Sequence, residues 1–252
     1  GRSTRTRSEG AATDASDDSA TQDSAPDVVL PPGPPGQILG VREEGNVVIP
    51  TLRAVATDGH RLAQVDLPLP KSAEGMPGVI VPRKTVGEVQ RLIEDAEAEL
   101  KIELSQGKIR FTLGDVVLTS KLIDGTFPDY QRVIPTGNDK RLIIDRQTFA
   151  SAVDRVSTIS SERGRAVKLS IGDGQVVLAV NNPDSGSATE EIAADYGADP
   201  IEIGFNARYL LDVAAQLSGS EARFLLADAG SPTLIQDTTD DQALYVLMPM
   251  RV

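Results

Sequence analysis

Apolar residues in the first structured part of the chain follow a strand pattern and then a helical one. Runs at 52–57 and 61–67 are strand-like, and the Asp58-Gly59 pair between them is a strong signal for a β-hairpin. Pro82, which a helix tolerates in its first turn, precedes apolar residues at helical spacing. These residues predict one helix with an apolar stripe composed of Val86, Val89, Leu92, Ile93, Ala96 and Leu100.

Strands and helices continue to alternate in the rest of the chain, with glycine-containing turns between the strands. After the first helix, three strands are predicted at 101–105, 108–113 and 116–122. A second helix is predicted at 145–160, followed by strands at 167–171, 176–180 and around 190–194. Asn206 is a favourable N-cap for a third helix, whose apolar stripe is Tyr209, Leu210, Val213, Ala214 and Leu217. The last predicted strands are 222–226, 233–236 and 244–248.

A helix followed by three strands therefore occurs twice, at 82–122 and at 206–248. This spacing, about 110 to 125 residues, is too long for the repeat of a solenoid. It predicts the α+β class, with two related domains whose boundary lies near 137–140. The first domain lacks an equivalent of the helix predicted at 145–160.

The N-terminal 36 residues differ in composition from the rest of the chain. They are rich in Ser, Thr, Asp, Ala and Gly, and they end in the proline-rich segment 31–36. Such a segment buries too little apolar surface to offset the entropy lost when it is ordered. We therefore predict a disordered tail at 1–36.

The charge of the chain limits the kind of nucleic-acid contact that we expect. The net charge is -12, which argues against tight binding of duplex DNA, because such affinity comes mostly from Lys and Arg. It argues less against weak, mobile contact. The chain contains no cysteine, so disulfides and thiolate metal sites are excluded. No apolar run approaches the ~20 residues of a membrane helix, and we expect a cytoplasmic protein without a membrane partner.

The residues that enzymes use for catalysis are scarce. His60 is the only histidine, so a Ser/His/Asp triad or a histidine-based metal cluster would depend on it. The glycines at 172 and 174 lie between predicted strands, unlike a phosphate-binding loop that opens a helix. Acidic pairs at 43–44 and 240–241 are expected by chance in a chain with 37 acidic residues. Catalysis is the weakest functional class, and no metal or cofactor is predicted.

Three segments together carry the strongest functional signal. They are VATDGHRLA at 55–63, DGTFPDY with RVIP within 124–135, and YVLMPMRV at 245–252. In this order and at these separations they resemble the bacterial DNA polymerase III beta subunit family, the sliding clamps. VPRK at 81–84, NNP at 181–183 and IEIGFN at 201–206 also resemble that family. The resemblance covers the chain from about residue 51 onward.

The resemblance implies a DNA-clamp fold of repeated helix-plus-antiparallel-sheet domains. In the family, two protomers of three domains each form a head-to-tail homodimeric ring that encircles duplex DNA without reading its sequence. The clamp is a processivity factor in DNA replication and is itself a non-catalytic subunit of a nucleotidyltransferase, the DNA-directed DNA polymerase III. By this resemblance the residues facing DNA are Arg83, Lys84, Arg91 and Arg155.

The resemblance also implies a hydrophobic pocket for short peptides of partner proteins. Its partners are the DNA polymerase III alpha subunit, the clamp loader and repair polymerases. Arg61 or Arg251 at the rim is expected to bind a peptide carbonyl or carboxylate, and Met248 and Met250 to adapt to varied apolar side chains. The implied pocket residues are Thr57, Gly59, His60, Arg61, Leu62, Pro128, Arg132, Val133, Val246, Leu247, Met248, Pro249, Met250 and Arg251.

The chain departs from the family at its N-terminal side. After the tail we expect a clamp middle domain at 37–137 that lacks its first helix and strand, and a clamp C-terminal domain at 138–252. About one and a half to two domains are therefore expected, and we expect this chain not to close the usual ring. The alternatives are a ring-incompetent fragment that only binds partner peptides, as a decoy would, and an unrelated hydrolase that depends on His60.

Overall fold

The structure is a computed structural model that describes residues 39–44, 47–94, 96–160 and 165–252. The tail predicted at 1–36 lies outside these residues. The described chain consists of α-helices and three sheets in which all paired strands are antiparallel, which confirms the α+β class.

The N-terminal unit contains strands β1 to β6 and helix α1. Its elements are β1 Leu39–Glu44, β2 Val47–Thr57, β3 Arg61–Pro68, α1 Arg83–Ile93, β4 Lys101–Leu104, β5 Lys108–Leu113 and β6 Val116–Lys121. A short 3-10 helix at Tyr130–Val133 lies in the loop that leads to the next unit. We call residues 122–139 the interdomain loop.

The C-terminal unit contains the other strands and two helices. Its elements are β7 Lys140–Asp145, α2 Arg146–Ser157, β8 Ala166–Gly172, β9 Gln175–Asn182, β10 Gly186–Ala193, β11 Asp195–Tyr196, β12 Ile201–Asn206, α3 Ala207–Gln216, β13 Glu221–Leu226, β14 Thr233–Asp237 and β15 Ala243–Leu247. The predicted repeat is confirmed, since α1-β4-β5-β6 and α3-β13-β14-β15 have the same order. Strands β1, β7, β11 and β12 were not predicted from the pattern.

One sheet runs through both units and determines where the candidate site lies. Its strand order is β1-β2-β3-β15-β14-β13-β7-β11. The two units meet where β3 pairs with β15, in a register that places Arg61 opposite Leu247 and Leu62 opposite Val246. The tip of the β2-β3 hairpin therefore lies beside the residues that follow β15.

Most of the buried core belongs to the C-terminal unit, where α2 packs against α3 and both pack on the sheets. Phe149 on α2 contacts Phe224 on β13 edge to face, with 5.3 Å between ring centroids. Both rings are buried. Because aromatic residues are scarce in the chain, most of the core around them consists of aliphatic side chains.

Helix α1 is shorter than its predicted apolar stripe. The helix ends at Ile93, so the prediction that Ala96 and Leu100 continue it is wrong. Acidic residues crowd the sequence after Ile93. In a helix extended to Leu100 they would lie in the last turns, where the helix dipole favours cations. Within the helix, Val86 and Ile93 are about half exposed, and the buried residue is Thr85, whose hydroxyl contacts Ser120 on β6.

Asp237 stabilises the turn that follows α3. One carboxylate oxygen accepts hydrogen bonds from the backbone N–H of Ser218 and Gly219, and the other from the N–H and hydroxyl of Thr239. Burial raises the pKa of Asp237, but these hydrogen bonds outweigh burial and lower the pKa to about 2. The ionised carboxylate is thus the stabilising form.

We expect acid to remove this contribution. Because the folded pKa of Asp237 lies below its unfolded value near 3.8, the stabilisation is present above pH 4 and is lost as the pH falls toward 2. The free energy of unfolding should lose about 1 to 2 kcal/mol from this group between about pH 5 and 2.5. Urea unfolding of wild type and Asp237→Asn across that range checks this, since the variant should show a flatter decline. An identical decline in both proteins would contradict the assignment.

Candidate functional site

The tip of the β2-β3 hairpin is held by its own side chains. The Thr57 hydroxyl donates to the carbonyl of Arg61 at 2.8 Å and accepts from the N–H of Gly59 at 3.2 Å. Asp58 Oδ1 accepts from the N–H groups of His60 and Arg61 at 3.0 and 3.1 Å. Gly59 has φ +86°, a conformation that other residues adopt only with strain. The sequence therefore builds a rigid turn at this position.

Arg61 connects the hairpin to helix α3 of the C-terminal unit. Its Nη1 contacts Asp212 Oδ2 at 2.5 Å and its Nε contacts Asp58 Oδ2 at 3.1 Å. The guanidinium carbon also lies 4.2 Å from the centroid of the Tyr209 ring, within range of a cation–π contact. Burial raises the pKa of Asp58, but hydrogen bonds from His60 and Arg61 outweigh it, so this pKa lies below its ordinary value.

The interdomain loop is anchored to the sheet of the N-terminal unit. Arg53 forms a two-point ion pair with Asp66, with distances of 2.6 and 2.7 Å, and both side chains are nearly buried. Hydrogen bonds to Asp66 and to the Tyr130 hydroxyl raise the pKa of Arg53 despite its burial. The Tyr130 ring in turn contacts Phe127 edge to face at 6.2 Å. The first turn of the 3-10 helix is thereby fixed against β2 and β3.

The C-terminal tail, which we define as residues 248–252, follows β15 and makes two backbone hydrogen bonds. The N–H of Met248 donates to the carbonyl of His60 at 2.9 Å, and the N–H of Met250 donates to the carbonyl of Gly204 at 2.8 Å. The tail thus passes from the hairpin tip to strand β12.

These three segments enclose one cavity of about 490 Å³. That volume lies in the range of pockets that bind small ligands and peptide side chains, roughly 300 to 1,000 Å³. The surface of the cavity is mostly apolar, and three of its lining residues, Asp58, Arg61 and Asp129, are charged. The lining residues are Thr57, Asp58, Gly59, Arg61, Leu62, Pro128, Asp129, Tyr130, Val133, Val246 and Met248.

The structure brings together only part of the pocket set implied by the resemblance. The members that line the cavity are Thr57, Gly59, Arg61, Leu62, Pro128, Val133, Val246 and Met248. The members outside the lining are His60, Arg132, Leu247, Pro249, Met250 and Arg251.

Each departure from that set has a structural reason. Neighbouring strand residues face opposite sides, so Leu247 packs in the core of the C-terminal unit while Val246 lines the cavity. Arg132 is turned outward and pairs with Asp129 at 2.7 Å, and its side chain is 85% exposed. His60 is exposed at the hairpin tip, and residues 249–251 continue past the cavity onto β12.

Sequence reasoning missed several residues at the site. Asp58, Asp129 and Tyr130 line the cavity, although they appeared in the motifs only as turn and loop residues. Tyr209 and Asp212 were missed because their contacts with Arg61 depend on how α3 lies beside the hairpin. The sequence signal for this pair was their spacing of three residues, which places both side chains on one face of the helix.

The four basic residues implied to face DNA lie on two helices. Arg83 and Lys84 are exposed in the first turn of α1, and Arg91 pairs with Glu88 at 2.8 Å. Arg155 on α2 forms a two-point contact with Glu190, in which Nε lies 3.0 Å from Oε2. Exposed pairs of this kind contribute at most about 1 kcal/mol each.

Metal-binding clusters and membrane-spanning helices are absent from the described part of the chain. No group of three or more His, Cys, Asp or Glu side chains there is arranged to hold a metal ion. Among the same residues, every helix is too short or too polar to cross a membrane.

Family comparisons agree with this architecture. The family model described as DNA polymerase III beta subunit, central domain, matches residues 39–129, and the model for the C-terminal domain of the same subunit matches 131–251. The chain is 55% identical over 201 residues to the beta sliding clamp of Caulobacter vibrioides, which is 80% of this chain and 54% of that protein. It is 40% identical over 201 residues to the beta sliding clamp of Escherichia coli, again 80% of this chain, and 55% of that protein.

A solved structure gives the same result. The DnaN sliding clamp of Bartonella birtlesii bound to griselimycin superimposes with a TM-score of 0.79 at 60% identity, covering 86% of this chain and 58% of that one. These matches, together with the helix-and-sheet units joined through a shared sheet, place the chain in the sliding-clamp class. The chain belongs to the bacterial DNA polymerase III beta subunit family. It spans about half the length of the curated relatives that it matches.

Proposed function

We propose that the protein acts as a sliding clamp that tethers DNA polymerase III and other replication and repair proteins to duplex DNA. It would contribute no catalysis of its own and would act in the cytoplasm. We further propose a division into a middle domain at 37–137 and a C-terminal domain at 138–252. The observation that supports the role most strongly is the apolar cavity formed by three segments far apart in sequence.

The chemistry of the cavity fits a short peptide with apolar anchors. Leu62, Val133 and Val246 supply fixed aliphatic walls, and Met248 supplies a flexible one that is 37% exposed. A few apolar side chains buried in such a pocket provide most of the affinity of a peptide. We propose that the alpha subunit of DNA polymerase III, the clamp loader and repair polymerases each insert such a segment.

The contacts of Arg61 favour a different role from the one expected from sequence. Its guanidinium is engaged by Asp58, Asp212 and Tyr209, so its charge is largely balanced before any peptide arrives. We propose that it fixes the hairpin against α3 and shapes the cavity.

A direct binding experiment tests the proposed role of the pocket. Binding of a fluorescein-labelled peptide with the clamp-binding motif of a DNA polymerase III alpha subunit can be followed by fluorescence anisotropy. We expect saturable binding of the peptide with one site per chain, and competition by griselimycin, the ligand of the Bartonella birtlesii clamp. A linear, unsaturable signal would contradict the proposal.

We also propose that exposed cations on α1 and α2 make loose, sequence-independent contact with duplex DNA, which full-length members of the family encircle as a homodimeric ring. These cations are Arg83, Lys84, Arg91 and Arg155. The contacts would be with phosphates alone, as expected for a protein that must slide. The net charge of -12 keeps the rest of the surface repulsive to DNA, so that affinity stays low.

Salt dependence of DNA binding tests the contribution of α1. In the double variant Arg83→Glu and Lys84→Glu, the slope of log affinity against log salt should fall by about 2, one for each lost phosphate contact. Fluorescence anisotropy of a labelled duplex measures the slope. Lys71→Glu, also exposed but outside α1 and α2, is the control and should leave the slope unchanged. Equal effects of the two charge reversals would contradict a specific DNA face.

A further inference from the structure

Gly204 is the point at which the C-terminal tail joins strand β12. Its carbonyl accepts the Met250 N–H at 2.8 Å, and the two residues form an isolated antiparallel bridge. On its other side Gly204 pairs with Lys168 of β8. Because β12 is the last strand of the sheet β10-β9-β8-β12, the tail covers backbone groups on its open edge.

A side chain at position 204 would occupy the space that the tail now fills. A Cβ atom there would lie 2.3 and 2.8 Å from the two γ-carbons of Val252 and 2.7 Å from the carbonyl oxygen of Met250. These three nearest atoms all belong to the tail. The Val252 side chain is exposed and can move, but the Met250 carbonyl cannot move unless the tail backbone moves with it.

The link between Met250 and the cavity is stiff. Pro249 has a fixed φ and restricts Met248 to extended backbone, so a shift at Met250 is transmitted to its neighbours. Met248 lines the cavity and binds the carbonyl of His60 through its N–H. The position of Met248 in the cavity wall therefore depends on a hydrogen bond made two residues further along the chain.

We propose that Gly204 is a positioning residue for the peptide pocket. It does not line the cavity, but its lack of a side chain lets the tail pack on β12 and so places Met248 in the wall. This inference rests on the proposed function of the pocket. It assigns part of the affinity for partner peptides to a residue in a strand outside the pocket.

Substitution of Gly204 separates this role from general destabilisation. Gly204 does not have a positive φ, so Gly204→Ala imposes no backbone strain and acts only through contact with the tail. We expect roughly tenfold weaker binding of the labelled alpha-subunit peptide. Gly197→Ala, where a Cβ would meet nothing within 4 Å, is the matched control and should bind as wild type does.

The same substitution in a chain that lacks residues 248–252 identifies the route of the effect. In the shortened chain, Gly204→Ala should lower neither the peptide affinity nor the thermal unfolding midpoint relative to the shortened chain with Gly204, because the clashing atoms are gone. An equal fall of the unfolding midpoint in the full and shortened chains would overturn the proposal, since it would indicate a fault in the body of the domain.

Hydrogen exchange in the absence of peptide tests the tail contact independently of the pocket's function. The Met250 amide should be protected in wild type and in Gly197→Ala, and should exchange roughly tenfold faster in Gly204→Ala. Unchanged protection in Gly204→Ala would overturn the inference. If wild type bound no peptide while this exchange result held, the proposed function would fail and the positioning of the tail would stand.

Discussion

Removal of residues 248–252 is expected to weaken binding of a partner peptide about 100-fold. The tail supplies Met248, which lines the cavity together with residues of the hairpin and of the interdomain loop. Without it the apolar surface of Leu62 and Val246 opens to water, and a bound peptide loses contacts on one side. Isothermal titration of the shortened and full chains with the same peptide measures the change.

A matched pair of substitutions localises this effect within the tail. Met248 lines the cavity and Met250 does not, although both donate backbone hydrogen bonds. We expect Met248→Ala to account for most of the lost affinity and Met250→Ala to stay within about threefold of wild type. Similar losses in both variants would indicate that the tail acts through a surface other than the cavity.

Substitution of Arg61 by alanine is expected to weaken peptide binding about 30-fold and to lower stability. The guanidinium holds Asp58, Asp212 and Tyr209 together across the junction of the two units. Its loss would leave two carboxylates facing one another without a counter-charge, so the hairpin should move away from α3. Peptide titration together with a thermal melt measures both effects.

Arg132 provides the control for this experiment. Arg132, like Arg61, belongs to the pocket set implied by the family resemblance. Its side chain points into solvent, however, and among the described residues it pairs only with Asp129. Arg132→Ala should therefore bind peptide within about twofold of wild type, since exposed ion pairs contribute little. If Arg132→Ala and Arg61→Ala had equal effects, the assigned geometry of the pocket rim would be wrong.

Local patterns in the sequence were sufficient for much of the fold. The Asp58-Gly59 turn, the helical stripe of α3 and the order of a helix followed by three strands are all set by residues close in sequence. The end of α1 was predicted wrongly because apolar spacing continued past Ile93, while the acidic residues that follow would be unfavourable in the last turns of a longer helix.

The site was harder to predict because its contacts are long-range. Arg61 and Asp212 are 151 residues apart, and no local pattern shows that α3 lies beside the hairpin. The resemblance to clamps implied that both Val246 and Leu247 belong to the pocket. Only the register of β15 against β3 shows which of the two side chains faces the cavity. Gly204 was recognised as part of a motif, and its contact with the tail became visible only in three dimensions.

The chain has three methionines, at 76, 248 and 250, and they allow one direct test of whether the cavity is the binding site. With ¹³C-labelled methionine methyl groups, titration with the alpha-subunit peptide should shift the Met248 signal in a saturable manner. Met76, which is outside the cavity lining, should not shift. A saturable shift confined to the wall of the cavity is the result that we predict. Binding of the peptide with an unchanged Met248 signal, or with equal shifts at Met248 and Met76, would contradict it.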